Sequence, residues 1–257
     1  MKLVIISFTI LIIIMAAAAL AEGDPYIDNV VKISFGENAD PLYSDPAKVL
    51  GPPRSYDETG LGGSEDVLNI GVGGSVTVEF VDNVIYDGPG PDFTVFENPF
   101  YIGGDFSRVY LEPGIVFVSS DNDSYTSFPA DYEMPEEVPP GGDDDPDHYH
   151  YIAGIRPVFS NPENGIDPLD PDISGGDSFD LADIALQAEK DGVDINNIRF
   201  IKIVDVIRRE DRDVDGDIII GTSNPLVNGF DLDAIAAINS KIPEEPNEAK
   251  SGWSRYE

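Results

Sequence analysis

The chain has 257 residues, of which 49 are acidic and 15 basic, giving a formal net charge of −34. A surplus this large repels polyanions. It excludes nucleic acid and disfavours anionic membrane surfaces as partners, while cations and neutral polymers such as glycans stay compatible. Cysteine is absent, so neither disulfides nor a lipid-anchored cysteine can form, and 41% apolar content with 25 glycines and 21 prolines describes a folded, turn-rich chain.

Met1 and Lys2 are followed by an apolar run from Leu3 that closes on Ala19-Leu20-Ala21. This pattern predicts a secretory signal peptide over 1–21, cut before Glu22. The alternative is an uncleaved anchor, because the run approaches the roughly 18 apolar residues of a membrane span. No second apolar span follows, and cleavage would remove only one charge, Lys2. The expected location is secreted or cell surface, with no membrane insertion after cleavage. Residues 22–240 suit a single all-β domain, since sandwiches commonly run to about 200–250 residues. Residues 241–257 mix Glu, Pro, Lys and Ser around the lone Trp253 and read as a flexible tail.

Strand patterns begin at Val30 to Phe35 and recur at Ser75 to Val81, where Val76, Val78 and Phe80 alternate with Thr77 and Glu79. Further candidates are Phe93 to Phe96, Ile115 to Ser119, Ile198 to Val206, Ile218 to Ile220 and Phe230 to Ile238. The continuous apolar character of Ile198 to Val204 predicts a central strand covered on both faces. Short strands separated by clusters such as Gly51-Pro52-Pro53 and Gly71-Val72-Gly73-Gly74 predict a jelly-roll-like β-sandwich. One short helix is expected, capped by Asp180, with Asp183 at its third position and Gly192 as its stop.

From Arg108 to Arg156 no lysine or arginine intervenes, while acids including Glu112, Asp131, Glu133 and Asp143 accumulate. The centre of this excursion, Pro135 to Pro146, is expected to be a solvated loop.

Three segments join acids to glycine turns and core aromatics. They are Asp87-Gly88-Pro89-Gly90-Pro91-Asp92-Phe93-Thr94-Val95-Phe96-Glu97-Asn98, Gly175-Gly176-Asp177-Ser178-Phe179-Asp180-Leu181-Ala182-Asp183 and Gly229-Phe230-Asp231-Leu232-Asp233-Ala234. Hard oxygen donors on sharp turns suit calcium, which takes six to eight oxygens, better than zinc, which favours cysteine and histidine. Asp231 and Asp233, two apart on a strand, would share a face and repel unless a cation or arginine lies between them. The predicted ligands are Glu97, Asn98, Asp180, Asp231 and Asp233, with Asp87, Asp92, Asp177 and Asp183 in reserve. Capping is the competing role for Asp180 and Asp183.

Asp211-Arg212-Asp213-Val214-Asp215-Gly216-Asp217 imitates the start of an EF-hand loop, but its twelfth position is Thr222 instead of the bidentate glutamate. An EF-hand is therefore rejected, although a calcium-binding turn of another kind stays open. His148-Tyr149-His150 has no third histidine to complete a zinc site, and no nucleophile elbow surrounds a serine. Two acids suffice for glycoside hydrolysis, which gives that reading no specificity in so acidic a chain. Tyr101, Tyr110, Tyr125, Tyr132, Tyr149 and Tyr151 are candidate sugar-stacking residues.

The three acidic segments, with Leu50-Gly51-Pro52-Pro53 and Val116-Phe117-Val118-Ser119-Ser120-Asp121, resemble a family of secreted microbial cell-surface proteins without an established activity. The resemblance spans most of Val30 to Asn239. Val116 to Phe128 and Arg199-Phe200-Ile201-Lys202-Ile203 are also similar to strands of galactose-binding-like, discoidin-type sandwiches. That likeness implies a jelly roll with recognition loops at one end and structural calcium.

The expected function is therefore an exported, calcium-stabilised β-sandwich acting as a cell-surface or extracellular binding or structural module, with an extracellular glycan or surface component as partner. The alternatives are a secreted carboxylate-dependent glycan-active enzyme and a surface-layer component of a salt-adapted organism.

Overall fold

In the computed structural model, residues 23–222 and 229–243 are described. The expected signal peptide at 1–21 lies outside them, as does all of the expected tail beyond Pro243, Trp253 included. Among the described residues no helix is long and apolar enough to cross a membrane.

The protein is mostly β, built from antiparallel sheets. The larger sheet has six strands. Asn29–Ser34, Ser75–Glu79, Phe200–Asp205, Gly114–Ser119 and Ile152–Ala153 lie side by side in that order, and Thr126–Ser127 also pairs with Gly114–Ser119. A three-stranded sheet places Phe93–Phe96 between Asp177–Phe179 and Ala234–Ala237. Both sheets feed one core, in which Val76, Val78, Val116, Val118, Ile201 and Ile203 from the larger meet Phe93, Val95, Phe179 and Ile235 from the smaller. Phe93 stacks on Phe179 at 5.3 Å between centroids, with Phe128 edge-on to both. Each such fully buried ring contributes roughly 1.5–3 kcal/mol of hydrophobic stabilisation.

Phe200–Asp205 is central, as its apolar run predicts, flanked by Ser75–Glu79 and Gly114–Ser119. It is not covered on both faces, however. Ile201, Ile203 and Asp205 are buried, whereas Phe200, Lys202 and Val204 are only half-covered. Lys202 accounts for the difference by laying its ammonium over the Phe117 ring at 5.1 Å, at the sheet surface.

Phe230 to Ile238 does not form one strand either. Asp231–Leu232 pairs with Leu68–Asn69, and the chain then changes partner at Asp233 to enter the three-stranded sheet as Ala234–Ala237. Ile218 to Ile220 forms no strand and contributes only an isolated bridge from Ile218 to Arg212.

The predicted helix is present. Asp180 accepts the Ala182 N–H at 2.9 Å, a 3-10 turn over Leu181–Ile184 leads into the α-helix Ala185–Asp191, and Gly192 ends it in the left-handed region. The acidic excursion is solvated at its centre but pinned at its end, where buried Asp143 accepts hydrogen bonds from Tyr132 Oη at 2.8 Å and His148 Nδ1 at 2.7 Å.

Candidate metal centre

All four residues of Phe93–Phe96 are buried, so this strand runs through the interior and delivers Glu97, only 1% exposed, at its end. Its pairing with Ala234–Ala237 sets Phe96 opposite Ala234, which lays the residues after Phe96 alongside those before Ala234. Two bonds register the crossing. Asp233 N–H donates to the Phe96 carbonyl at 2.9 Å, and Asp231 N–H donates to Glu97 Oε1 at 3.0 Å.

A third carboxylate arrives from a segment that carries no acidic motif. Glu112, 5% exposed, stands two residues ahead of the strand Gly114–Ser119. Its backbone is approached by Gly154 so closely that a Cβ there would lie 2.2 Å from the Glu112 carbonyl oxygen, and φ is +83°. Only glycine is compatible with that position. The Glu112 carboxylate accepts the N–H of Gly229, another glycine with positive φ, whose Cβ would meet the backbone of Gly71 at 2.4 Å.

One carboxylate oxygen from each of Glu97, Glu112 and Asp231 lies within 4.8 Å of the other two. Three points so spaced all lie within about 2.8 Å of a common point (4.8 Å divided by √3), against calcium–oxygen distances of about 2.3–2.6 Å. Glu97 Oε2 and Glu112 Oε1 are buried and accept no hydrogen bond. Leaving two such oxygens unpartnered is costly unless a proton, a water or a cation meets them.

Electrostatics make the same point. Burial, reinforced by Glu112 and Asp231, pushes the Glu97 carboxyl well above the usual carboxylate range. Burial and Asp231 raise Glu112 to about 8, with Arg208 opposing the shift, and burial raises Asp231 to about 6. Arg208 gives its guanidinium to the Thr222 carbonyl. Among the described residues none of the three carboxylates is in a direct ion pair. The cluster can therefore hold protons or a metal ion, and it holds negative charge poorly alone.

Asn98 and Asn69 complete the surroundings. The Asn98 side chain hydrogen-bonds Asp231 and donates to the Ser64 carbonyl at 3.2 Å. Asn69 Nδ2 donates to Asp231 Oδ1 at 2.7 Å, while its Oδ1 accepts the Asp40 N–H at 2.8 Å. Nothing in the acidic motifs pointed to Asn69. Its signal lies in the antiparallel pairing opposite Asp231.

The other expected ligands lie outside this cluster. Asp233 is buried, but its Oδ2 accepts the Arg54 N–H at 2.8 Å. Asp231 joins Glu97 and Glu112, Asp233 is not in that group, and the chain changes strand partner between them. Burial raises the Asp233 carboxyl to about 8. Buried Asp177 points Oδ2 at the N–H groups of Gly154 and Ile155, at 2.8 and 2.9 Å, and faces the Arg156 guanidinium with Oδ1.

Asp87, Asp92 and Asp180 form a second metal-competent group. Asp92 is already satisfied, with Oδ1 accepting from Gly88 N–H and Asn239 Nδ2 and Oδ2 accepting from Leu181 N–H, all at 2.8 Å. Here the carboxylate acts as a strut joining the glycine turn to the helix start. Asp183 is exposed and hydrogen-bonds Tyr151.

Asp131, Asp213 and Asp215 form a third group at the EF-like turn, where Asp213 Oδ1 accepts the Asp215, Gly216 and Asp217 N–H groups. Neither histidine joins a metal-competent group among the described residues: His148 meets Asp143 and His150 lies 3.4 Å from Glu133.

No protein-family model matches the chain, and no curated protein matches it.

Proposed function

We propose that the protein is an exported β-sandwich of jelly-roll type in which a calcium ion bound by Glu97, Glu112 and Asp231 pins distant strands together, and that it serves as an extracellular or cell-surface binding or structural module. The observation that carries the metal reading is the convergence of three carboxylates, two of them buried, with Glu97 Oε2 and Glu112 Oε1 left without hydrogen-bond partners.

The chemistry favours calcium among divalent ions. All donors are oxygens, the flanking side chains are the amides of Asn98 and Asn69, and neither cysteine nor histidine takes part. A divalent charge would replace the protons that the raised pKa values otherwise demand. The common core of the six-stranded and three-stranded sheets supports the sandwich, and the apolar leader pattern supports export.

Thermal unfolding after chelation and at fixed ionic strength tests the reading. Calcium should raise the midpoint and potassium should not; a midpoint indifferent to calcium at millimolar concentration overturns it.

A further inference from the structure

The six candidate stacking tyrosines do not stay equivalent once folded. Tyr132 and Tyr149 are buried, Tyr110 stacks on Phe100, and Tyr125 bonds Asn122. Tyr101 and Tyr151 are left facing two open clefts, of about 410 and 380 Å3 respectively, that share Arg156 as a wall. The shared edge is continuous in sequence, since Gly175 and Gly176 line one cleft and Asp177 and Ser178 the other.

We propose that these two clefts form one binding groove for a neutral oligosaccharide, with Arg156 at its centre and the rings of Tyr151, Tyr101 and Phe106 as stacking surfaces. Phe106 is 67% exposed and meets the Tyr101 ring edge-on at 4.9 Å, which makes an exposed apolar platform. Tyr151 is 40% exposed and sits at φ +56°, a conformation costly for an aromatic residue, while its hydroxyl is tethered to Asp183. The ring is thus presented to solvent by a strained backbone and a hydrogen bond together.

Charge selects the ligand class. Asp131 and Asp177 line one cleft and Asp145, Asp147 and Asp172 the other, which disfavours anions. Among the described residues Arg156 is the sole lysine or arginine in either wall, and its guanidinium, 3.7 Å from Asp177 Oδ1, opposes a cation at the point where the clefts meet. A neutral polyhydroxylated ligand fits both restrictions. Its hydroxyls donate to the carboxylates and accept from Arg156, and its C–H faces stack on the rings. Asp177, anchored through Oδ2 by backbone N–H groups, is a positioning residue for Arg156.

The inference rests on the reading of the chain as an extracellular binding module and is independent of whether calcium binds. The test applies the full chain to an array of neutral and anionic glycans, then titrates the best neutral oligosaccharide by calorimetry. Binding confined to neutral glycans is expected. Phe106→Ala and Tyr151→Asn, the latter chosen because asparagine tolerates positive φ, should each weaken affinity about fivefold, and Arg156→Ala about tenfold, with unfolding midpoints kept within a few degrees.

Binding to no neutral glycan, binding to anionic glycans only, or affinity unmoved by all three variants overturns the groove. The calcium-dependent midpoint, read on the same preparations, reports separately on the metal site. Glu112→Gln should abolish the calcium response and leave glycan affinity within about twofold.

Discussion

Asp231 N–H donates to Glu97 Oε1 at 3.0 Å across 134 residues of chain. With Oε1 committed to that bond, Glu97 Oε2 is the oxygen left buried and unpartnered, and the same contact brings Asp231 into the carboxylate cluster. The bond therefore fixes both the position of the cluster and the orientation of its most deeply buried member.

Glu97→Gln and Glu112→Gln should each abolish the stabilisation that calcium provides. For the unaltered chain at a hundredfold excess of calcium over Kd, stabilisation of about 2.7 kcal/mol corresponds to a rise of about 5–10 °C in the midpoint. In chelator the sign should invert, with Glu112→Gln at least as stable as the parent at pH 8, because it removes a buried charge. Scanning calorimetry with and without calcium checks both arms; a retained calcium response in both variants refutes the ligand assignment.

Without divalent ions the protein should lose stability as pH rises from 5 to 8. Asp177, Asp205 and Asp231 are raised to about 6 and Asp233 and Glu112 to about 8, each chiefly by burial. Their unfolded values lie near 4, so the folded state binds more protons through this window and stability falls as pH climbs. For Asp177 alone the shift from 3.8 to about 6 is on the order of 3 kcal/mol. Asp66 and Asp121 are lowered by hydrogen bonds, and their contribution is lost below about pH 4, which places the optimum between the two limbs. Midpoints measured in chelator from pH 4 to 9 check this, and a rise from pH 5 to 8 contradicts it.

Asp233→Asn should be more stable than the parent at pH 8, with an advantage that shrinks towards pH 5, since it removes a carboxyl that burial raises to about 8 while keeping an acceptor for the Arg54 N–H. Its calcium response should match the parent's. Urea unfolding at both pH values, with and without calcium, separates this residue from the cluster two positions earlier in the chain.

Asp180→Ala should cost about 1 kcal/mol through loss of the bond to Ala182 N–H, equally with and without calcium. Helical circular dichroism and unfolding midpoints measure it. A cost that appears only in the presence of calcium would instead make Asp180 a ligand.

Much of the local structure was legible in the residues. The strand at Phe93–Phe96, the alternation of Val76, Val78 and Phe80, the Asp180 cap and the Gly192 stop all depend on contacts within a few positions, which pattern and propensity report directly. Glu97, Asn98 and Asp231 were likewise marked by acids placed beside turns and aromatics. Glu112 sits within a long acidic stretch, yet it is the lone charge between Val109 and Val118. A solitary carboxylate in an apolar run is the signal that could have found it.

By itself, then, the sequence determined a β-rich, strongly acidic chain with acids delivered at strand ends, because alternation, caps and composition are short-range properties. Only the tertiary structure decided which acids meet. The pairing of Phe96 with Ala234, the pairing of Asp231 with Asn69 and the close approach of Gly154 to Glu112 bring three carboxylates together and send Asp177, Asp180 and Asp233 to other partners. Strand register across more than a hundred residues is fixed by packing of the whole core, and no local pattern in the acidic segments encodes it.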